Sequence, residues 1–315
     1  MSYDEILILN EDRAKELVNM SEVIEAVEGA FEEYSEGEAK MPPKIYLDLP
    51  EFNGDFRAMP AYVSGYAGVK WVNVHPDNKE KSIPTVMAKV ILSNPETGEN
   101  LGCIEGTSLT NYRTGAAGGI ASKYLAREDS DTLGLVGLGE QAKTQLMAVS
   151  EVFDLKKVLI HDVDESAVKD FMSSIDGFNF EKVSLKKVMS ADIVSTTTPV
   201  RSPIIKEEWV KPGTHINAIG ADAEGKQELE PQLFVQDGVK IVVDDIEQTT
   251  HSGEINVAYN EGTIDESDIY ANLPDVVAGK KRGRESREEI TVFDSTGLAI
   301  QDVATAKIVY ERAIG

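Results

Sequence analysis

Cysteine is almost missing from this chain of 315 residues. Cys103 stands alone, which excludes an internal disulfide and fits a reducing compartment. A lone thiol can serve as a nucleophile, but its expected role is that of a small buried hydrophobe. Histidine is scarce too. His75, His161, His215 and His251 fall at no metal-ligand spacing and have no cysteine partners, so no metal centre is expected. No serine occupies a nucleophile elbow. No apolar run approaches the ~20 residues that span a bilayer. The opening MSYDEILILNED has neither the basic start nor the cleavage site of a signal peptide, so a cytoplasmic location is expected. Basic residues are outnumbered, 31 Lys and Arg against 55 Asp and Glu, for a net charge of -24. Nucleic acid and membrane are therefore not expected partners, since Lys and Arg supply the affinity for nucleic acid and for anionic lipid. The same surplus keeps a chain soluble and suits a salt-rich cytoplasm in which surface repulsion is screened.

What the chain does have is a stretch, Thr132–Asp162, in which strand, turn, helix, strand and terminal acid follow in order. Leu133–Val136 is a short apolar run of the kind buried in parallel sheets. It enters Gly137-Leu138-Gly139-Glu140-Gln141-Ala142, a G-x-G-x-x-A turn. Gly137 permits the tight turn, Gly139 lets a pyrophosphate approach the backbone, and Ala142 lets the next helix pack on the strand. That helix, with Leu146, Val149 and Phe153 on one face, points its first amides and its positive dipole end at the phosphates. The second apolar run, Val158–His161, ends in Asp162, placed to grip a ribose hydroxyl. Asp162, Val163 and Asp164 offer no cation to a 2′-phosphate, so NAD is expected rather than NADP. A solvated strand-end acid is the competing reading of Asp162.

The length alone predicts two domains. The first block reads as a mostly antiparallel sheet with one or two helices. Strands are expected at Ile6–Leu9, Lys44–Leu49, Phe56–Tyr62, Tyr66–Val74, Thr85–Ser93 and Asn100–Glu105. Small residues crowd a helix from Leu109 to Leu125, a pattern that allows close packing against a neighbouring element or a ligand. An α/β pattern follows, with strands near 132–136, 157–161, 179–184, 192–196, 214–219, 239–243 and 290–294. A long helix runs from Thr296 to Ile314. The fold class is α/β, with a doubly wound parallel sheet of the Rossmann type.

Four constellations can carry chemistry. Arg57 and Lys70 interrupt apolar runs on neighbouring strands of the first block. If those strands pair, both cations share one face and suit a substrate carboxylate, and a desolvated lysine there has a lowered pKa. Two solvent-facing strand cations are the alternative. Arg113 and Thr114 stand where the small-residue helix is expected to open, facing a phosphate or carboxylate, with a structural salt bridge as the competing role of Arg113. Gly220 and Asp222 follow a parallel strand, at the rim where ligands bind in open α/β sheets. Asp222 can move protons there or cap the next helix. Asp294-Ser295-Thr296-Gly297 ends the last strand, can cap the C-terminal helix and can face the nicotinamide.

These segments together, Gly68–Asn73, Arg113–Ala117, the turn at 137–139, Gly220–Asp222 with Gly225–Leu229, and Phe293–Gly297, resemble the ornithine cyclodeaminase/mu-crystallin family over nearly the whole chain. The resemblance implies a Rossmann domain inserted in an α+β substrate and dimerisation domain. Residues 1–119 and 302–315 would form the substrate domain and 120–301 the NAD-binding domain. It also implies a homodimer paired through the first domain. The family's catalytic pair falls on Lys70 and Asp222. Substrate binding falls on Arg57, Lys70 and Arg113. Cofactor contacts fall on Arg113, Thr114, Gly137, Gly139, Glu140, Gln141, Asp162, Val163, Asp164, Gly220 and Ser295. Arg57 in Arg57-Ala58-Met59-Pro60-Ala61 stands where the cyclodeaminases carry Glu, and so favours a small substrate without a side-chain cation, as in the alanine-oxidising archaeal members. The implied reaction is NAD-dependent oxidative deamination of L-alanine to pyruvate and ammonium. The alternatives are cyclodeaminase chemistry, cyclic ketimine reduction, and a nucleotide-holding protein without turnover.

Overall fold

A computed structural model describes residues 6–315. The chain divides into two compact units, one holding the residues up to Arg113 together with Leu298–Gly315, the other Thr114–Gly297.

The first unit contains β1 (Leu7–Leu9), α1 (Glu11–Leu17), α2 (Met20–Glu36), β2 (Ile45–Leu49), β3 (Gly54–Val63), β4 (Tyr66–Val74), β5 (Val86–Ser93) and β6 (Asn100–Glu105). Asn19 caps α2 by accepting from the Glu22 N–H, and Gly37 ends it in the left-handed region, φ 80°. The six strands order as β1-β6-β5-β4-β3-β2, antiparallel except for the β1–β6 pair. Alternation gives the sheet two unlike faces. Met59, Ala61, Val63, Val72, Ala88, Val90, Leu92 and Ile104 are buried on one. The C-terminal helix lies against β3, β4, β5 and α2. The other face bears Ile8, Ile45, Leu47, Trp71, Met87 and Ile91, all exposed.

α3 (Gly106–Leu125) begins three residues earlier than expected and bridges the two stretches of sequence. The second unit continues with β7 (Thr132–Val136), α4 (Glu140–Val152), β8 (Lys157–His161), α5 (Glu165–Ser174), β9 (Phe180–Lys182), α6 (Leu185–Val188), β10 (Ile193–Thr196), β11 (His215–Ala218), β12 (Val239–Val243), α7 (Ile246–Ser252), α8 (Asn256–Asn260), β13 (Ile269–Asn272), α9 (Leu273–Val277) and β14 (Ile290–Asp294). Its eight strands are all parallel, in the order β13-β12-β14-β11-β10-β7-β8-β9. Chain order reverses at the β7/β10 pair, the place where such sheets bind ligands beyond their carboxyl ends. One apolar core gathers Leu133, Leu146, Val149, Ile160 and Phe171, and another gathers Val136, Val194, Ile216, Val243 and Val292. This is a doubly wound Rossmann sheet. β13 has no counterpart in the sequence reading, being a four-residue edge strand without an apolar run. α10 (Ala299–Ile314) closes the chain. Among the described residues no helix is long and apolar enough to cross a membrane.

Candidate active site

In the first unit, register decides where the cations go. Arg57 lies opposite Val72 and Lys70 opposite Met59, so the two cations are diagonal neighbours on the buried face. The solvent-facing alternative is overturned: Arg57 is 9% exposed and Lys70 1%. Lys70 Nζ sits 2.7 Å from Asp302 Oδ2 on α10. Arg113 Nε reaches the other oxygen of Asp302 at 3.0 Å, and Arg113 Nη1 donates to Gln301 Oε1 at 3.2 Å. Burial brings the Lys70 ammonium down to about pKa 7, and the positive charges of Arg113 and Lys44 push the same way against the pull of Asp302. Arg57 donates to both oxygens of Asp55, at 2.7 and 3.2 Å, and lies 5.4 Å over the Tyr46 ring.

Arg113 and Thr114 do not open a helix. α3 starts at Gly106, so both sit two turns inside it, and Arg113 forms a buried salt bridge with Asp302. Further along, the small-residue stripe meets another helix rather than a ligand. A Cβ on Gly115 would lie 2.5 Å from the Thr144 carbonyl oxygen, and one on Gly119 2.9 Å from the Ala148 Cβ, both on α4. The Thr114 carbonyl accepts from Gln145 Nε2 at 3.0 Å.

In the second unit the glycine turn leads from β7 into α4. Gly137 adopts φ +82°, and a Cβ there would strike Thr198 Cγ2 at 2.8 Å. Gly139 has open space where a Cβ would stand, and no side chain caps the first turn of α4. Glu140 is exposed and pairs with Lys143 at 2.6 Å; Gln141 is half-buried beside it. Asp162 is held by both oxygens: Oδ2 accepts the Leu138 N–H at 2.8 Å and Oδ1 the Asp164 N–H at 2.9 Å. It therefore ties the end of β8 to the turn. Asp164 caps α5 through the Ser166 N–H, and Val163 is 95% exposed.

At the strand rim, Asp222 pairs with Lys226 at 2.5 Å and is 42% exposed. No helix follows it, so the capping alternative fails. Gly220 is a glycine by close approach, since a Cβ would stand 2.2 Å from the Thr198 carbonyl oxygen. Its N–H donates to Glu228 Oε2 at 2.9 Å, and Glu228 Oε1 takes the Thr198 N–H and hydroxyl at 2.7 and 2.6 Å. The fully buried Glu228 thus clamps the loops after β10 and β11. Burial raises its pKa, as it does for Glu254 and Asp294, which stand near it. Asp294 does not cap α10. It ends β14 and accepts the Ile255 N–H at 2.9 Å, while Gln301 bonds back to the Leu298 N–H at the helix start. Ser295 is buried, and its hydroxyl finds no partner among the described residues. The open Gly139, the uncapped α4 and this orphaned hydroxyl fit a dinucleotide.

Residues 5–315 match the model of the Ornithine cyclodeaminase/mu-crystallin family. An alanine dehydrogenase from Archaeoglobus fulgidus is 53% identical over 312 residues, 98% of this chain and 96% of that one. The chain belongs to the ornithine cyclodeaminase/mu-crystallin family. Within that family it is also 38% identical to a Delta(1)-pyrroline-2-carboxylate reductase of Bacillus cereus, over 98% of this chain and 97% of the other. The solved structure of an archaeal alanine dehydrogenase dimer with bound NAD matches with a TM-score of 0.95 at 52% identity, covering 98% of this chain and 96% of that chain. The Thermococcus litoralis Delta(1)-pyrroline-2-carboxylate reductase in complex with NADH and L-proline matches at 0.94 and 41%, over 98% of each.

For this member of the family, the residue that sequence reasoning missed is Asp302. Its signal was present. Leu298, Ile300, Val303 and Ala304 make a buried helix face, and an acid within it must meet a cation. Cys103 departs from expectation as well: it is only half-buried and lies on the outer sheet face beside Ile91.

Proposed function

We propose that the chain is an NAD-dependent alanine dehydrogenase, converting L-alanine, NAD⁺ and water to pyruvate, ammonium, NADH and a proton. The observation that carries the reading is Lys70, a fully buried lysine brought to about pKa 7 on a sheet face that it shares with Arg57. An amine poised there exchanges protons at neutral pH. NAD, when bound at the glycine turn, supplies the hydride acceptor. Lys70 and Arg113 take the substrate carboxylate, with Arg57 on the same face as Lys70. Lys70 moves a proton at the substrate nitrogen or at the attacking water. Asp222, half-exposed at the rim of the nucleotide sheet, exchanges the second proton with solvent. Asp162 receives the adenosine ribose through lone pairs left over from its two backbone bonds.

The first unit, expected as residues 1–119 with 302–315 but running to Arg113 and resuming at Leu298, serves as substrate and dimerisation domain, and Thr114–Gly297, expected as 120–301, as NAD-binding domain. The working form is a cytoplasmic homodimer. The apolar outer face of the six-stranded sheet supports pairing through the first of these, as does the dimer found for the archaeal relative. The test is a panel of amino acids with NAD⁺, followed by NADH absorbance. Steady NADH growth with L-alanine is expected. The 38–41% identity to pyrroline-2-carboxylate reductases supports one other reading, cyclic ketimine reduction. NADH consumption with Δ1-pyrroline-2-carboxylate, together with no reaction on alanine, would establish that instead.

A further inference from the structure

A single carboxylate joins three elements of the first unit. Asp302, 1% exposed on α10, gives one oxygen to Lys70 of β4 at 2.7 Å and the other to Arg113 of α3 at 3.0 Å. With both oxygens engaged by cations, Asp302 is no base. Its neighbour Gln301 is also fully buried and holds the same guanidinium. Gln301 Oε1 faces two donors, Arg113 Nη1 and the Leu298 N–H, so the orientation of the amide is fixed. Its Nε2 is left without an acceptor among the described residues. Two cations around one anion form a buried group with a surplus positive charge when Lys70 is protonated. Such a group is a poor way to stabilise a fold, because desolvation offsets the attraction. It is a good way to keep two cations side by side for an incoming carboxylate.

We propose that Asp302 is a positioning residue of the reaction, which holds the Lys70 amine beside the Arg113 guanidinium, so that the guanidinium pairs with the carboxylate of the amino-acid substrate and the amine, neutral or protonated, donates a hydrogen bond to it. The proposal rests on the dehydrogenase reading. Among the charged groups facing Lys70, Asp302 favours its protonated form, while Arg113 and Lys44 oppose it. Arg57, on the same sheet face, is engaged by Asp55. Removing the charge of Asp302 therefore lowers the pH at which Lys70 gives up its proton.

The test uses the full chain with Asp302→Asn and Asp302→Glu. In the Asn variant kcat/KM for L-alanine is expected to fall about 100-fold or more. The pH limb near 7 should move to lower pH, and NADH affinity, read by fluorescence, should be unchanged. The Glu variant keeps the charge on a longer arm. It is expected to fall between wild type and Asp302→Asn, with the limb restored. Wild-type kinetics with an unmoved limb in Asp302→Asn would overturn the proposal. Should that variant not fold, Asp302→Glu decides, and wild-type kcat/KM there would overturn it equally. If the wild-type protein oxidises no amino acid, the dehydrogenase reading fails on its own. The positioning role is then judged by NMR titration of Cε-labelled lysine, where an identical Lys70 titration in wild type and Asp302→Asn would refute it.

Discussion

Lys70 owes its chemistry to being a lysine where the alternation of β4 demands an apolar residue. Burial lowers its pKa to about 7, so the amine is half protonated at neutrality. The sign of each pH effect follows. In alanine oxidation, where the amine must accept a proton, kcat/KM should rise as pH increases through about 7; in the reductive direction it should fall over the same range. Lys70→Ala and Asp222→Ala should each lower kcat by roughly 10²–10⁴-fold with NADH affinity retained, as expected for lost proton transfer. A wild-type rate in either variant removes that residue from the mechanism. The same depressed pKa acts on stability. The unfolded amine binds its proton up to about 10.5 and the folded one only to about 7, so the cost of burying it is full below 7 and fades as pH rises across that window. Asp162 carries a different prediction. Asp162→Asn keeps an acceptor for the Leu138 N–H but removes the charge that repels a 2′-phosphate. The NAD/NADP preference should fall at least about tenfold, worth ~1.4 kcal/mol; an unchanged ratio would move the ribose contact to another residue.

Among the elements, α3 and α4 show what a glycine is for. A methyl at Gly115 would sit 2.5 Å from a backbone oxygen of Thr144, an atom that cannot swing away. Gly115→Ala should therefore destabilise the fold by ~1–3 kcal/mol, lowering the denaturation midpoint with the slope unchanged. Gly29 in α2 has nothing within 4 Å of the same position, so Gly29→Ala should instead stabilise, by about 0.5–1 kcal/mol. A shared sign for the two would break the packing argument. The close packing itself was legible in the run of small residues, but its partner was not, because composition says how near a neighbour comes and not which neighbour it is. The parallel strands were legible for a related reason: buried on both faces, they read as unbroken apolar runs. Helix starts were less so. Arg113 looked like a first-turn residue because the run of small residues follows directly after it, whereas α3 begins at Gly106, directly from the end of β6. Asp294-Ser295-Thr296-Gly297 looked like a cap for α10, but the Thr296 and Gly297 N–H groups donate to Asp244, within the nucleotide-binding sheet's own loops. Local sequence offers donors and acceptors, and distant residues decide which are used. The Lys70–Asp302 pair is the extreme case, since nothing near position 70 indicates a partner 232 residues on, the difference of 302 and 70.

On the scale of the whole molecule, a net charge of -24 should keep copies of this chain apart. One face runs against that tendency. Ile8, Ile45, Leu47, Trp71, Met87 and Ile91 are all exposed on the outer side of the first sheet. Lys89 and Glu105 there offset each other in an ion pair. An exposed apolar patch in so acidic a protein marks an interface, and a second copy offers the same neutral face. Association then buries apolar area locally while opposing a long-range repulsion that salt screens within a Debye length of about 10 Å at 0.1 M. The wild-type chain should therefore sediment as a dimer whose dissociation constant falls as KCl is added. Ile91→Glu, in the middle of the face, should give a monomer at the same concentration. Cys103 reports independently, because it pairs with Ile91 across β5 and β6 and shares that face. Its thiol should react slowly with Ellman's reagent in the wild-type dimer and rapidly in Ile91→Glu. A variant that stays dimeric with a protected Cys103 would place the subunit contact elsewhere on the molecule.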